Sequence, residues 1–197
     1  MSYPKFFDKV EPIVVFDPLS KVLGSIEEGL YEFSYLEIVK AAGHSCPTVS
    51  GAYLMTQCAL RELYKEEPAM RGEIEVLFKD LLEDGVAGVI GNVVTHITGA
   101  TQKSGFKGLN SKFARHSLMK FDADITASAR FIRLDTKESV DVVYDPSSIL
   151  PNPDMQILMK KMMTGEATED ELKEFGVLWQ DRVKRIFENS KKVVKLV

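Results

Sequence analysis

Long uninterrupted apolar runs are missing from this sequence of 197 residues, as is a basic segment followed by an uncharged apolar stretch. A membrane-spanning helix needs about 20 consecutive apolar residues, and a secretory signal needs that basic-then-apolar order. We therefore expect a cytoplasmic protein with no membrane partner. The formal net charge of −4 and the pI near 5.5 supply no global field that attracts nucleic acid, so no nucleic-acid partner is expected.

Cysteine and histidine are also scarce, with two and three residues respectively. Cys46 and Cys58 fall in one predicted segment. A helix would separate them by about 18 Å along its axis, which is too far for a disulfide. Free thiols agree with a cytoplasmic protein. The hydrophobic content of 45% and the charged content of 27% are ordinary for a globular chain and argue against disorder.

Apolar periodicity predicts an α+β fold in which an antiparallel β-sheet packs against helices and is followed by a C-terminal helical extension. We expect a core domain over residues 1–150 and the extension over residues 151–197. The clearest strand signal is the strict apolar alternation over residues 121–131, and residues 140–144 would pair with it as an antiparallel hairpin. Further predicted strands cover 13–16 and 74–78, and predicted helices begin at residues 35, 47, 86 and 155 and after residue 168.

His44 and Cys46 stand two residues apart, just before a helix that should begin at Pro47, because proline suits a first helical position. The partial positive charge of a helix N-terminus favours the thiolate form of cysteine, which binds metals. Histidine supplies an imidazole that suits zinc, nickel or iron. Two ligands alone hold a metal weakly, so a third must come from elsewhere. The alternative is a capped helix start with an incidental histidine and cysteine.

Two histidines are candidates for the third ligand. His96 lies on the same side of the predicted helix as Val89 and is therefore expected to face inward. The alternative to a ligand is a histidine that forms a hydrogen bond within the core. His116 follows Arg115 at the end of a glycine-rich loop and is equally consistent with a surface residue. The remaining candidates are carboxylates: Glu75, Asp84 and Asp122.

The loop over residues 99–115 is rich in glycine and lysine, which suits a small anion because backbone N–H groups can approach it closely. The loop matches neither a P-loop nor a dinucleotide-binding motif. We expect it to supply substrate contacts from Lys103, Lys107, Arg115 and His116. A mobile surface loop is the alternative.

Residues 40–47, Lys-Ala-Ala-Gly-His-Ser-Cys-Pro, are followed by Gly51 and a predicted helix. They resemble the opening signature of the FmdE family, which is named after formylmethanofuran dehydrogenase. Residues 92–101 resemble that family's second motif. In this chain the stretch ends in Thr-Gly-Ala-Thr before the lysine-rich loop. The similarity spans about residues 10–190. The resemblance implies an α+β core, often dimeric, with a metal ion bound in a cleft through the His-x-Cys motif.

The chain departs from that family pattern at two positions of the motifs and also lacks the cysteine-rich tail of some members. Ala42 stands where a histidine is usual, and Ala100 stands where a cysteine is usual. Only His44 and Cys46 carry over, and the change at position 100 favours His96 as a replacement. We expect these three residues to bind one divalent metal ion. Zinc is the expected metal, and nickel and iron are the alternatives.

Two hypotheses about function follow. The first is a metal-dependent enzyme, or an accessory component of an oxidoreductase, that acts on a small anionic molecule at an open metal position. The second is a non-catalytic protein that carries metal or assembles a larger complex. A symmetric homodimer is also expected, because the last helix carries many large apolar side chains: Phe175, Leu178, Trp179, Val183 and Ile186.

Overall fold

The computed structural model describes residues 2–110 and 112–197. After a short 3-10 helix, Lys5–Lys9, the described residues form α helices and β strands in mixed order. The helices are α1 (Pro18–Val22), α2 (Tyr35–Ala42), α3 (Pro47–Tyr64), α4 (Ala87–Thr98), α5 (Asp154–Thr164), α6 (Glu169–Glu188) and α7 (Ser190–Val193). The strands are β1 (Ile13–Phe16), β2 (Leu30–Phe33), β3 (Ala69–Met70), β4 (Ile74–Phe78), β5 (Met119–Lys120), β6 (Ala129–Arg133), β7 (Ser139–Tyr144) and β8 (Val194–Leu196).

The strands form two sheets, and the α+β class is confirmed. A three-stranded sheet has the order β2-β1-β3, and a five-stranded sheet has the order β5-β4-β6-β7-β8. The predicted hairpin of β6 and β7 is present, with Phe131 opposite Val140. The sheets are mixed rather than wholly antiparallel, because β1 pairs with β3 and β4 pairs with β5 in parallel.

The strand predicted over residues 121–131 was largely wrong, since regular pairing begins only at Ala129. Asp122 has a φ of 56° and bonds to the carbonyl of Asp80, so the chain bends past the end of β4 instead of extending the sheet. Ile125 and Ala127 are nevertheless buried. The alternation of apolar residues therefore reflects alternate burial in an irregular segment. Periodicity alone cannot distinguish such a segment from a strand.

Helix α3 lies at the centre of the core, with twelve of its 18 residues buried. It packs against α4, β7 and α6. A helix that is covered on several sides needs small residues where a neighbour comes close, and Gly51 meets this need because the ring of Tyr144 fills the space where a Cβ would be. The sheet residue Tyr144 is thereby fixed against the first turns of α3.

The C-terminal residues return to the core. Val183 and Ile186 of α6 are fully buried, and β8 pairs with β7 at the edge of the larger sheet. Several apolar groups that motivated the homodimer prediction are therefore used within the chain. The homodimer stays a prediction, and its interface would need other apolar side chains, such as Met163 and Val177, which are 78% and 69% exposed. Among the described residues, no helix is both long and apolar enough to cross a membrane.

Candidate functional site

The Gly-His-Ser-Cys-Pro segment joins α2 to α3. Helix α2 ends at Gly43, whose φ of 79° is the left-handed conformation that glycine adopts most easily at a helix end. Helix α3 begins at Pro47 as predicted, with Cys46 at its N-cap position. The Cys46 Sγ accepts a hydrogen bond from the Val49 N–H at 3.4 Å, and the side chain is buried. The thiol therefore serves as a helix cap.

His44 and Cys46 have different surroundings although they are two residues apart. The His44 side chain is exposed, and its Nδ1 lies 3.1 Å from the Ala42 carbonyl oxygen, within its own turn. Cys46 is only 8% exposed. The structure thus places one candidate ligand at the surface and the other inside the protein.

Helix α6 covers the segment from the other side. Trp179 Nε1 and Gln180 Nε2 both donate to the Ser45 carbonyl oxygen, at 2.9 and 3.1 Å. The Ser45 hydroxyl is hydrogen-bonded to the Tyr35 hydroxyl at 2.9 Å. These bonds satisfy the carbonyl and the hydroxyl of a buried residue, and they hold the segment against α2 and α6. Sequence reasoning missed this role of α6, because Trp179 is 134 residues away along the chain.

His96 does not face inward, which corrects the expectation from its azimuth. Its side chain is exposed on the last turn of α4, where its ring meets Phe33 edge-on with 5.5 Å between centroids. Partial burial and then the positive charge of Arg71 lower the pKa of His96, so the imidazole is neutral at pH 7. Glu37, in the first turn of α2, is the carboxylate whose charge acts on it.

His96 and His44 lie at opposite ends of α2. The His96 ring contacts Phe33, which precedes that helix, whereas His44 follows its C-terminal end. A helix of eight residues is about 12 Å long, whereas two zinc ligands must each lie about 2 Å from the ion. The two histidines are not brought together within one chain.

The predicted substrate residues of the loop differ in their surroundings. Arg115 is 6% exposed and pairs with Asp17 at 2.6 Å, so it is a buried structural residue rather than a surface contact. Lys103 and Lys107 are exposed, and His116 is half-buried with Nδ1 3.0 Å from the Ser117 hydroxyl. The loop follows the C-terminus of α4, about 18 Å from the first turn of that helix.

A cavity of about 280 Å³ lies at the first turns of α3 and α4, a location that sequence reasoning missed. Its residues come from five separate stretches of the chain, and no local pattern groups them. Apolar side chains form much of its wall: Pro47, Met55, Phe78, Val86, Ala87, Ile90 and Pro146. The polar lining residues are Thr48, Asp80, Ser128 and Tyr144.

Tyr144 is fixed at this cavity by several contacts. Its hydroxyl donates to the Pro47 carbonyl oxygen at 2.6 Å, and its N–H donates to the Ser128 hydroxyl oxygen at 3.2 Å. Burial raises the pKa of Tyr144, so the phenol stays protonated and remains a donor. The Ser128 hydroxyl proton is left available for a ligand.

Two helix N-termini and one carboxylate contribute to the electrostatic field of the cavity. A helix N-terminus is equivalent to about half a positive charge. In the first turn of α3, Pro47 has no N–H and the Val49 N–H already donates to Cys46 Sγ. The first turn of α4 carries N–H groups without helical acceptors. At Val86, the N-cap of α4, no side chain of the described chain caps these groups. The exposed Asp80 carboxylate opposes this field. The two helix ends and Asp80 contribute about equal and opposite charges, so a negative group is favoured beside the helix ends and disfavoured beside Asp80.

Comparison with known families rests on most of the chain. The family model described as "FmdE, Molybdenum formylmethanofuran dehydrogenase operon" matches residues 41–195. The chain belongs to the FmdE family. This match begins just before the Gly-His-Ser-Cys-Pro segment and includes α6, so the resemblance seen in the two sequence motifs is confirmed. No curated protein matches the chain.

The metal ion implied by the FmdE resemblance requires donors that converge. Among residues 2–110 and 112–197, no group of three or more His, Cys, Asp or Glu side chains is arranged to hold a metal ion. Cys46 is buried whereas His44 is exposed, and Ala42 and Ala100 bring no donor atoms where the FmdE pattern has them. The side chains of one chain therefore do not fit a complete metal site.

Proposed function

We propose that this FmdE-family protein has an accessory, non-catalytic role and binds a small organic molecule with one negative charge and an apolar part. The family takes its description from a dehydrogenase operon. Membership in the family therefore supports an accessory role beside such an enzyme. The single observation that carries the proposal is the cavity where the first turns of α3 and α4 meet. Its volume of about 280 Å³ suits a small molecule.

Each part of the cavity supports a part of the ligand. The N-termini of α3 and α4 favour an anionic group, and the hydroxyls of Thr48 and Ser128 are available as donors to it. Met55 and Phe78 are almost fully buried and would pack against an apolar tail. Asp80 disfavours ligands with two negative charges. A monocarboxylate with a short hydrocarbon chain satisfies all three requirements.

We expect butyrate to bind this cavity and to bind more weakly after Thr48→Val. The substitution preserves side-chain volume but removes a hydroxyl that donates to the carboxylate, and such charge-assisted hydrogen bonds are worth about 1.5–3 kcal/mol. Affinity should fall by about tenfold. The affinity is measured by titration with butyrate, followed by the amide chemical shifts of the first turns of α3 and α4.

Two controls separate site binding from general effects. Thr56→Val makes the same change on α3 at a buried hydroxyl that bonds the Ala52 carbonyl, away from the cavity lining, and should leave butyrate affinity unchanged. Butylamine has the same apolar chain with the opposite charge and should bind more weakly than butyrate. Equal binding of the two compounds, or no effect of Thr48→Val, would contradict the proposal.

The proposal also predicts little bound metal. Protein purified without added metal or a chelating tag should contain well under one equivalent of zinc, nickel or iron per chain, because one chain does not assemble the donors. Elemental analysis with known protein concentration checks this. One equivalent that is lost in His44→Ala and Cys46→Ser, but kept in Cys58→Ser, would instead support the metal-dependent hypothesis.

A further inference from the structure

The segment from Gly99 to Phe121 has a charge opposite to that of the rest of the chain. It contains five basic residues and no aspartate or glutamate. Because the whole chain has a formal charge of −4 and this segment contributes +5, the remainder carries −9. A cluster of positive charge on an otherwise acidic protein produces a local electrostatic field that steers binding partners.

Two of these five charges are already neutralised within the chain. Arg115 pairs with Asp17, and Lys120 pairs with Glu75 at 2.7 Å. The other three side chains are exposed, and none forms a salt bridge to a carboxylate of the described residues. They are Lys103, Lys107 and Lys112.

Apolar side chains stand among these lysines. Phe106 and Leu109 are 42% and 46% exposed. Large apolar residues at the surface surrounded by charged ones are the usual arrangement of a protein-binding patch, in which the apolar centre is desolvated and the polar rim stays hydrated. We call residues 102–110 and 112–117 the basic loop.

The basic loop has a defined shape, although it contains little regular secondary structure. The Thr101 N–H and hydroxyl both donate to the Arg115 carbonyl oxygen, and the Arg115 N–H donates to the Phe106 carbonyl oxygen. Leu109 and Lys112 exchange backbone hydrogen bonds at 2.8 and 2.9 Å. The side chains that these residues present are therefore ordered before binding, which reduces the entropy cost of association.

A groove of about 480 Å³ runs beside the basic loop, and its charged lining residues are Arg71, Lys112, Arg115, Glu73 and Asp135. Arg115 Nη1 is buried against Gly72 and has no hydrogen-bond acceptor within the described chain. This atom is not accessible to another molecule, and Arg71 and Arg115 already pair with Asp17. The positive charge that the groove offers a partner is therefore that of the exposed Lys112.

We propose that the basic loop and the adjoining groove form a docking surface for an acidic segment of a partner protein. The three unpaired lysines supply charge complementarity, and Phe106 and Leu109 supply the apolar centre. The −9 charge of the remaining chain opposes the approach of an extended polyanion, such as a nucleic acid or an anionic membrane, but not of a short acidic segment. The surface lies at the opposite end of α4 from the cavity, so it is independent of the ligand proposed there.

The test uses the full chain and a fluorescent peptide of alternating glutamate and leucine, with binding followed by anisotropy. The peptide should bind, and an equally charged peptide of glutamate and serine should bind more weakly. Reversal of the three lysines, Lys103→Glu with Lys107→Glu and Lys112→Glu, should weaken binding by at least about tenfold. The single substitution Phe106→Ser should abolish the advantage of the leucine peptide over the serine peptide.

The matched control reverses three other exposed lysines, Lys5, Lys191 and Lys192, and changes the total charge by the same amount. It should alter binding by less than about twofold, since exposed charges far from the peptide are screened. Equal loss in both variants, or no peptide binding by the wild type, would overturn the proposal. Tighter binding to phosphatidylserine vesicles or to oligothymidylate, or self-association that the loop reversal abolishes, would also overturn it by identifying a different occupant.

Discussion

Asp17→Asn should lower the free energy of unfolding by about 3–5 kcal/mol at pH 7, the range found when one partner of a buried ion pair is removed. Asp17 is 3% exposed and accepts from Arg115 Nη2 at 2.6 Å and Arg71 Nη1 at 2.8 Å. The asparagine variant leaves two guanidinium groups around a neutral side chain. Urea denaturation of both proteins measures the difference, which is large beside the roughly 5–15 kcal/mol of a typical domain.

Asp181→Asn is the control for this experiment. Asp181 pairs with Arg185 one helical turn away, and its side chain is 49% exposed. Exposed pairs of this spacing contribute about 0.3–0.5 kcal/mol because water and salt screen them. Equal losses in the two variants would mean that the Asp17 cluster is not a special buried element.

The Asp17 contribution should also depend on pH. Burial by itself would raise the pKa of Asp17, but the hydrogen bond from Arg71, the Ser20 N–H and the charge of Arg115 together hold it below its usual value. A carboxyl group with a lowered folded-state pKa stabilises the fold above its unfolded pKa of about 4 and loses that contribution as pH falls through the folded value. The difference between wild type and Asp17→Asn should therefore be constant from about pH 5 to pH 7 and shrink below about pH 4.

Gly51→Ala should also lower the free energy of unfolding strongly, by about 1–3 kcal/mol, because it inserts a methyl group into a packed core. The new Cβ would overlap the Tyr144 ring, whose hydroxyl is bonded to the Pro47 carbonyl oxygen. The ring cannot move away without loss of that bond and disturbance of the cavity wall. Thermal unfolding measures stability, and weaker butyrate binding in the folded variant would report the displaced Tyr144.

Gly176→Ala makes the same change in the interior of another helix and should raise the free energy of unfolding instead of lowering it. Gly176 lies on α6 with no atom within 4 Å of the added Cβ. Alanine in a helix interior is favoured over glycine by about 0.5–1 kcal/mol. Destabilisation by both substitutions, or by neither, would show that crowding at Tyr144 does not determine the result at Gly51.

The sequence alone determined the elements that depend on local interactions. The start of α3 at Pro47 and of α6 after Thr168 appeared as predicted, and the end of α2 at Gly43 depends on equally local interactions. Each depends on residues a few positions apart, whose conformational preferences hold in almost any surroundings. The α+β class and the family also followed from the sequence, because apolar periodicity and the His-x-Cys motif are local patterns.

The tertiary structure decided which of these residues meet. Helical periodicity placed His96 on the same face as Val89, but at that end of α4 the His96 ring meets Phe33 only by its edge and stays exposed. Periodicity shows which side chains share a face, and only the packing of distant elements shows what covers it. Arg115 likewise became a buried partner of Asp17, 98 residues away, because chain packing rather than local sequence brings two such charges together and removes water from around them.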